Sequence, residues 1–238
     1  TNGPWRVNVG ETLTGYGNIK INGWSEISGK LGDYEGKQLG ADVFETGNFR
    51  LNADGEIYVG TLTTNSTGQD GYGNDVVNNI SGKIYATNIN FNNENIWIQS
   101  GAEINAAENF EVTIQKDTLS NAGLINVGGT FTLKGDKLLL NNGTITGNKI
   151  TVGMGEVRNN SSISINGSLE GGKITNNSNG TMTLGGINAA NGIENFGKIE
   201  GANGITNVNI IVSDDSGEII NRGEININGE IQTKNGKI

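Results

Sequence analysis

The sequence predicts an all-β chain, a right-handed parallel β-helix: a solenoid of coils of roughly 20 residues. Three observations predict it. A short phrase returns at nearly even spacing, the apolar residues within it alternate with a period of two, and Asn and Gly separate the alternating runs. A recurring unit of this length marks a stack of like units. Period two marks strands with one buried face.

The phrase reads aliphatic, any residue, Asn, any residue, Gly or Ser, any residue, aliphatic. Its copies centre on Asn121, Asn141, Asn159, Asn176, Asn195 and Asn221, with steps of 20, 18, 17, 19 and 26. Two residues before each stands Leu119, Leu139, Val157, Ile174, Ile193 or Ile219, and two after stands Gly123, Gly143, Ser161, Ser178, Gly197 or Gly223. Ile125, Ile145, Ile163, Ile199 and Ile225 come four after; the Asn176 copy has Gly180 there and Met182 two further on. No window carries the i, i+3, i+4, i+7 pattern of a helix. Stacked units place like strand on like strand at about 4.8 Å per coil. Parallel crossovers are right-handed, and a left-handed solenoid wants a strict hexapeptide rhythm that these uneven steps do not supply. Gly and Asn tolerate the tight backbone of corners. Stacked Asn can also pass amide hydrogen bonds from coil to coil. The recurring Asn therefore reads as architecture.

At 238 residues the chain fits one solenoid domain, residues 1–238. That length gives about twelve coils, a stack roughly 55 Å tall. Residues 1–75 lack the phrase and hold eight of the 14 aromatics, among them Trp5, Tyr16, Trp24, Phe44, Phe49 and Tyr58. They read as an atypical, aromatic-rich N-terminal cap, since an uncovered stack of strand edges invites pairing with other chains. Regular coils are expected over 76–238. The first two place Asn78 and then Ser100 in the Asn seat, and Trp97 faces outward because Ile98 faces in. The unit from Arg222 to Ile231 is as regular as any before it, so more coils are expected past Ile238.

The chain has 39 Gly, 38 Asn, one Pro, no Cys and no His. Pro4 sits where it cannot break a ladder. Without Cys or His there is no disulfide framework, no zinc site of those ligands and no Ser-His-Asp triad. The net charge of −9 argues against nucleic acid and anionic lipid as partners. No apolar run is long enough for a membrane span. The start at Thr1 is read as a mature segment or an excised piece.

Candidate chemistry is sparse. Asp70-Gly-Tyr-Gly-Asn-Asp75 resembles one copy of the Gly-rich nonapeptide that holds calcium in β-rolls, with Asp70, Asn74 and Asp75 as its oxygen ligands. Those sites form between tandem copies and one copy stands here, so a polar turn is the simpler reading and no cofactor is expected. Carboxylate pairs occur at Asp33 and Glu35, at Asp214 and Asp215, and at Glu218 with Glu224; solvated turns account for them. Exposed aromatics beside irregular loops are the better signal for binding. The candidate ligand-binding residues are Trp24, Asp33, Tyr34, Glu35, Asp70, Tyr72 and Trp97. Contact is expected within residues 24–100, chiefly in the Asp33–Glu35 and Asn65–Asp75 loops.

The grammar of Asn141-Asn-Gly-Thr-Ile-Thr-Gly147 and Asn221-Arg-Gly-Glu-Ile-Asn-Ile227 resembles the passenger domains of type V secreted proteins. It is most similar to the large autotransporter adhesins of fusobacteria, over nearly the whole chain. Two-partner secretion exoproteins of the filamentous haemagglutinin type come second, because Gly3-Pro4 does not match their Asn-Pro-Asn motifs. The resemblance implies a β-helical stalk exported through an outer-membrane translocator barrel and anchored there by a region outside this stretch. It implies display on the bacterial surface and attachment to a protein or glycan of host cells or other bacteria.

The leading expectation is thus a secreted, non-catalytic adhesin segment. One rival is a carbohydrate-active enzyme on the same fold, a polysaccharide lyase or hydrolase; another is a purely structural stalk. An enzyme would align Asp, Lys and Arg at one register of three consecutive coils. The position after each Asn instead holds Ala122, Asn142, Asn160, Asn177, Phe196 and Arg222.

Overall fold

The computed structural model describes residues 5–65, 77–116, 118–202, 209–212 and 218–233. No described residue is helical. The described strands pair in parallel, apart from one short hairpin of Lys30–Asp33 with Gln38–Leu39. They stack as a β-solenoid of about ten turns with roughly 20-residue coils. The shortfall against twelve lies in the longer early coils. Ser25 pairs with Phe49, and Arg50 with Asn79, steps of 24 and 29 residues.

The registers define three walls. On the first, Leu119, Leu139, Val157, Ile174, Ile193 and Ile219 form one inward column, and the Asn from Asn121 to Asn221 form the next. On the second, Ile125, Ile145, Ile163, Met182, Ile199 and Ile225 lie one above another. On the third, Phe44, Leu62, Ile89, Phe110, Phe131, Ile150 and Leu169 do the same. Alternation places the residues between them outside, which is why period two was legible in the sequence. In the second column Ile163 and Ile199 are fully buried, and the expectation that Trp97 faces outward holds: it is half exposed beside buried Ile98.

The aromatics divide by role. Phe49, Phe91, Phe110 and Phe131 run through the core with successive ring centroids at 5.9, 5.3 and 5.0 Å. Trp5 packs on Phe44 at 5.7 Å. Tyr16 does not share that work, being 89% exposed.

Two kinds of corner lead from the first wall to the second. In the short kind the Asn side chain makes the turn. Asn121 Oδ1 accepts the N–H of Gly123 at 3.1 Å, and Asn141, Asn159 and Asn221 repeat this with Gly143, Ser161 and Gly223. In the long kind a four-residue turn closes on backbone: Gly55 N–H donates to Asn52, Ala102 to Gln99, and Gly180 to Asn177. Gly101, with φ of +84°, occupies the third position of one such turn, where a type II geometry needs glycine.

The long corner at 99–102 overturns one expected register. The seat of Asn121 is filled in the coil below by Ile98 and not by Ser100. One coil earlier it is filled by Ile80, because Asn78 pairs with Ile96 in the aliphatic column. Extrapolating a constant step ran through a corner two residues longer than its neighbours. Asn78 turns to a different buried partner, its Oδ1 accepting the N–H of Phe49 at 3.1 Å.

Candidate binding surface

The outer faces are mostly quiet. From Asn105 upward the second wall shows Asn126, Thr146, Ser164 and Thr183 in register. These side chains bond to one another: Asn126 Nδ2 donates to Asn105 Oδ1 at 3.3 Å, and Thr146 Oγ1 to Asn126 Oδ1 at 2.9 Å. Beside them an open polar groove of about 440 Å³ is lined by Asn126, Gly128, Thr146, Asn148, Ser164 and Asn166, among others. Charges are largely paired between coils, as in Lys20–Glu45, Lys149–Glu170 and Lys173–Glu194 at 2.8, 2.8 and 3.0 Å. Exposed pairs of this kind each contribute at most about 1 kcal/mol.

The early coils differ, and here the sequence-predicted residues fall into two groups. Asp33, Tyr34 and Glu35 sit at the hairpin on the second wall. Asp33 Oδ1 accepts the Gly36 N–H at 3.2 Å and lies 3.6 Å from Lys30 Nζ, which fixes the turn. Tyr34 then folds back on the wall. Its N–H donates to Glu56 Oε1 at 3.0 Å, and its ring stacks on Tyr85 at 3.8 Å while meeting Tyr58 edge-on at 5.3 Å. Tyr58 and Tyr85 are register partners one coil apart. Half of Tyr34 remains exposed, and Glu35 projects into solvent at the tip.

Tyr85 is held against an acidic border. Its hydroxyl donates to Glu103 Oε2 at 3.4 Å. Burial first, then the charges of Glu103 and Glu56, push the phenol up to about 12. This tyrosine stays neutral and works as a ring and a donor.

Trp24 and Trp97 belong to the first wall, with Arg50 between them in the stack. Arg50 pairs with Asn79 and Asn79 with Trp97, so the three form one outward column. The Arg50 guanidinium lies over the Trp24 ring, 5.6 Å from its centroid. Trp24 is 39% exposed and Trp97 48%. The structure therefore brings Trp24 to Arg50, places Trp97 two rungs beyond Arg50, and keeps Tyr34 with its two tyrosine neighbours on the adjoining wall.

Asp70, Tyr72, Asn74 and Asp75 lie outside the described residues, as do Asp214 and Asp215. Three residues of this surface were not among the candidates: Arg50, Tyr58 and Tyr85. A signal for the tyrosines was present, since Ile57-Tyr58 and Ile84-Tyr85 are the same dipeptide one coil apart. Arg50 gave none: its register partner is Glu26, and only the stacking of the two coils brings it over Trp24.

Comparison of the chain with family models, curated proteins and solved structures returns no match. The function is thus argued from the surface itself.

Proposed function

We propose that this chain is a non-catalytic, surface-displayed adhesin segment of a secreted bacterial β-helical passenger. It mediates or supports attachment to host cells or other bacteria. One observation carries the reading: half-exposed Trp24, Tyr34 and Trp97 all lie in the early coils, while the second wall of the later coils presents Ser, Thr and Asn. Aromatic rings on a fixed scaffold supply contact area at little entropic cost, and such residues dominate interface energetics. The later coils, with their continuous Asn column, serve as stalk. Export through an outer-membrane barrel and anchoring by a region beyond this stretch belong to the same proposal and rest on the likeness to type V passengers.

The test is adhesion of beads coated with the protein to epithelial cells and to a panel of oral and gut bacteria. Coated beads are expected to bind at least one of these, and the W24A/W97A double variant to lose most of that binding with an unchanged circular dichroism spectrum. Equal adhesion by the variant, or none by the parent, would overturn the reading.

A further inference from the structure

Arg50 breaks the electrostatic habit of the surface. Ten of the described cations lie within 4.0 Å of a carboxylate, Arg6 and Arg158 among them. Arg50 has no such partner among the described residues. Its register neighbour Glu26 is hydrogen-bonded by Arg6 Nε at 3.0 Å and by Asn52 Nδ2 at 3.3 Å, and feels Arg50 through its charge alone. Of the four arginines, Arg6 and Arg158 pair with carboxylates, whereas Arg50 and Arg222 lie over aromatic rings. The Arg50 guanidinium is also held in place, lying 5.6 Å from the centroid of the Trp24 ring, in an exposed residue.

Two rungs along the same outward column stands Trp97. Rungs of about 4.8 Å put it roughly 10 Å from Arg50, the span of about two sugar rings. Between them stands Asn79. A half-exposed indole and a forked cation on one wall match one ligand class. Pyranose faces stack on indole rings, and guanidinium forks pair with carboxylate or sulfate in two parallel hydrogen bonds.

We propose that the Trp24–Arg50–Trp97 face binds an acidic oligosaccharide, with Arg50 clasping its carboxylate or sulfate and a neighbouring sugar ring on Trp97. This deepens the adhesin reading and rests on it.

Sialyllactose, trigalacturonate and a heparin hexasaccharide, each beside its neutral counterpart, are titrated into the protein by calorimetry at low and at physiological salt. At least one acidic sugar is expected to bind tenfold or more tighter than its counterpart, and less tightly at higher salt. R50Q should bring that ratio to about one. W97A should weaken the acidic and neutral sugars alike. R222Q is the control, since Arg222 also lies over an aromatic ring, Phe196, at 5.6 Å and on a distant coil; it should change nothing. No binding by any acidic probe, or an undiminished ratio in R50Q, overturns the inference. If the sugars fail while bead adhesion still depends on Trp24 and Trp97, the adhesin reading stands and only the ligand class falls. If adhesion fails as well, both fall.

Discussion

Asn141 Nδ2 donates to Asn159 Oδ1 at 2.8 Å, and neither side chain reaches solvent. The same bond joins Asn121 to Asn141, Asn159 to Asn176, Asn176 to Asn195 and Asn195 to Asn221, all between 2.8 and 2.9 Å. Each of these donors also reaches a backbone carbonyl in its own coil or the next, such as that of Ser162 or Thr181. A buried amide is costly unless all its partners are in place, and here the stack supplies them.

Asn159→Ala should therefore cost about 2–4 kcal/mol, because it strands the Asn141 donor and the Asn176 acceptor together. Asn142→Ala, in the exposed outer row where Asn160 Nδ2 donates to Asn142 Oδ1, should cost under about 1 kcal/mol. Urea unfolding of the two variants checks the difference. Similar losses would mean that the inner column does not carry the register.

Ile163→Ala and Ile199→Ala each open a cavity at a fully buried position in the second wall, against Met182 in both cases. Losses of about 2–5 kcal/mol are expected. Ser164→Ala, one residue away on the outer face, should change stability by less than about 0.5 kcal/mol. The same unfolding measurement reads all three.

Tyr34→Ala removes the stack on Tyr85. The expected loss is about 0.5–1.5 kcal/mol. The hydrogen-exchange signature should be local, with faster exchange over 33–39 and unchanged protection at Ile57 and Ile84. Faster exchange along the whole wall would show the hairpin to be part of the core.

The Tyr85 phenol, raised from 10.0 to about 12, favours the folded state while it is neutral. Its contribution is complete below about pH 10 and is lost as pH rises from there toward 12. Ultraviolet titration should show one tyrosine ionising late, and Tyr85→Phe should remove that step. If the late step persists in the variant, the assignment fails.

At the acid end Glu170 behaves oppositely. Burial alone would raise its pKa, but hydrogen bonds from Lys149 and Ser168 and the charge of Lys149 outweigh it and hold the carboxyl below its ordinary 4.5. A lowered folded value stabilises above the ordinary one and is lost as pH falls through it. The site is part exposed, so Lys149→Met should remove no more than about 0.5 kcal/mol at pH 7 and less at pH 3. Paired unfolding curves at the two pH values test this.

The inner face of this fold was far more legible than the outer. Period two gave the strands and the returning Asn gave the stack, because both are set by backbone geometry that every coil repeats. The seat of Ser100 was misread, since a four-residue turn at 99–102 is invisible to a constant step. Arg50 was missed for a deeper reason. Its place over Trp24 follows from which coil lies on which, and that depends on the lengths of loops whose sequence carries no period. Trp97 was found because its neighbours Ile96 and Ile98 declare their side of the strand.

The alternation of short and long corners has a consequence for how such a molecule can change. Ladder hydrogen bonds fix the rise per coil, and the Asn column fixes the angular position of the first wall. The corner at Asn177–Gly180 takes up two extra residues without disturbing either, and those at Asn52–Gly55 and Gln99–Ala102, in coils below the Asn column, do so without breaking the ladder. Axial pitch and perimeter are thus separate variables. Insertions at those three turns should be absorbed as lateral decoration, so novelty can accumulate on the flank of the rod while its length and straightness are conserved.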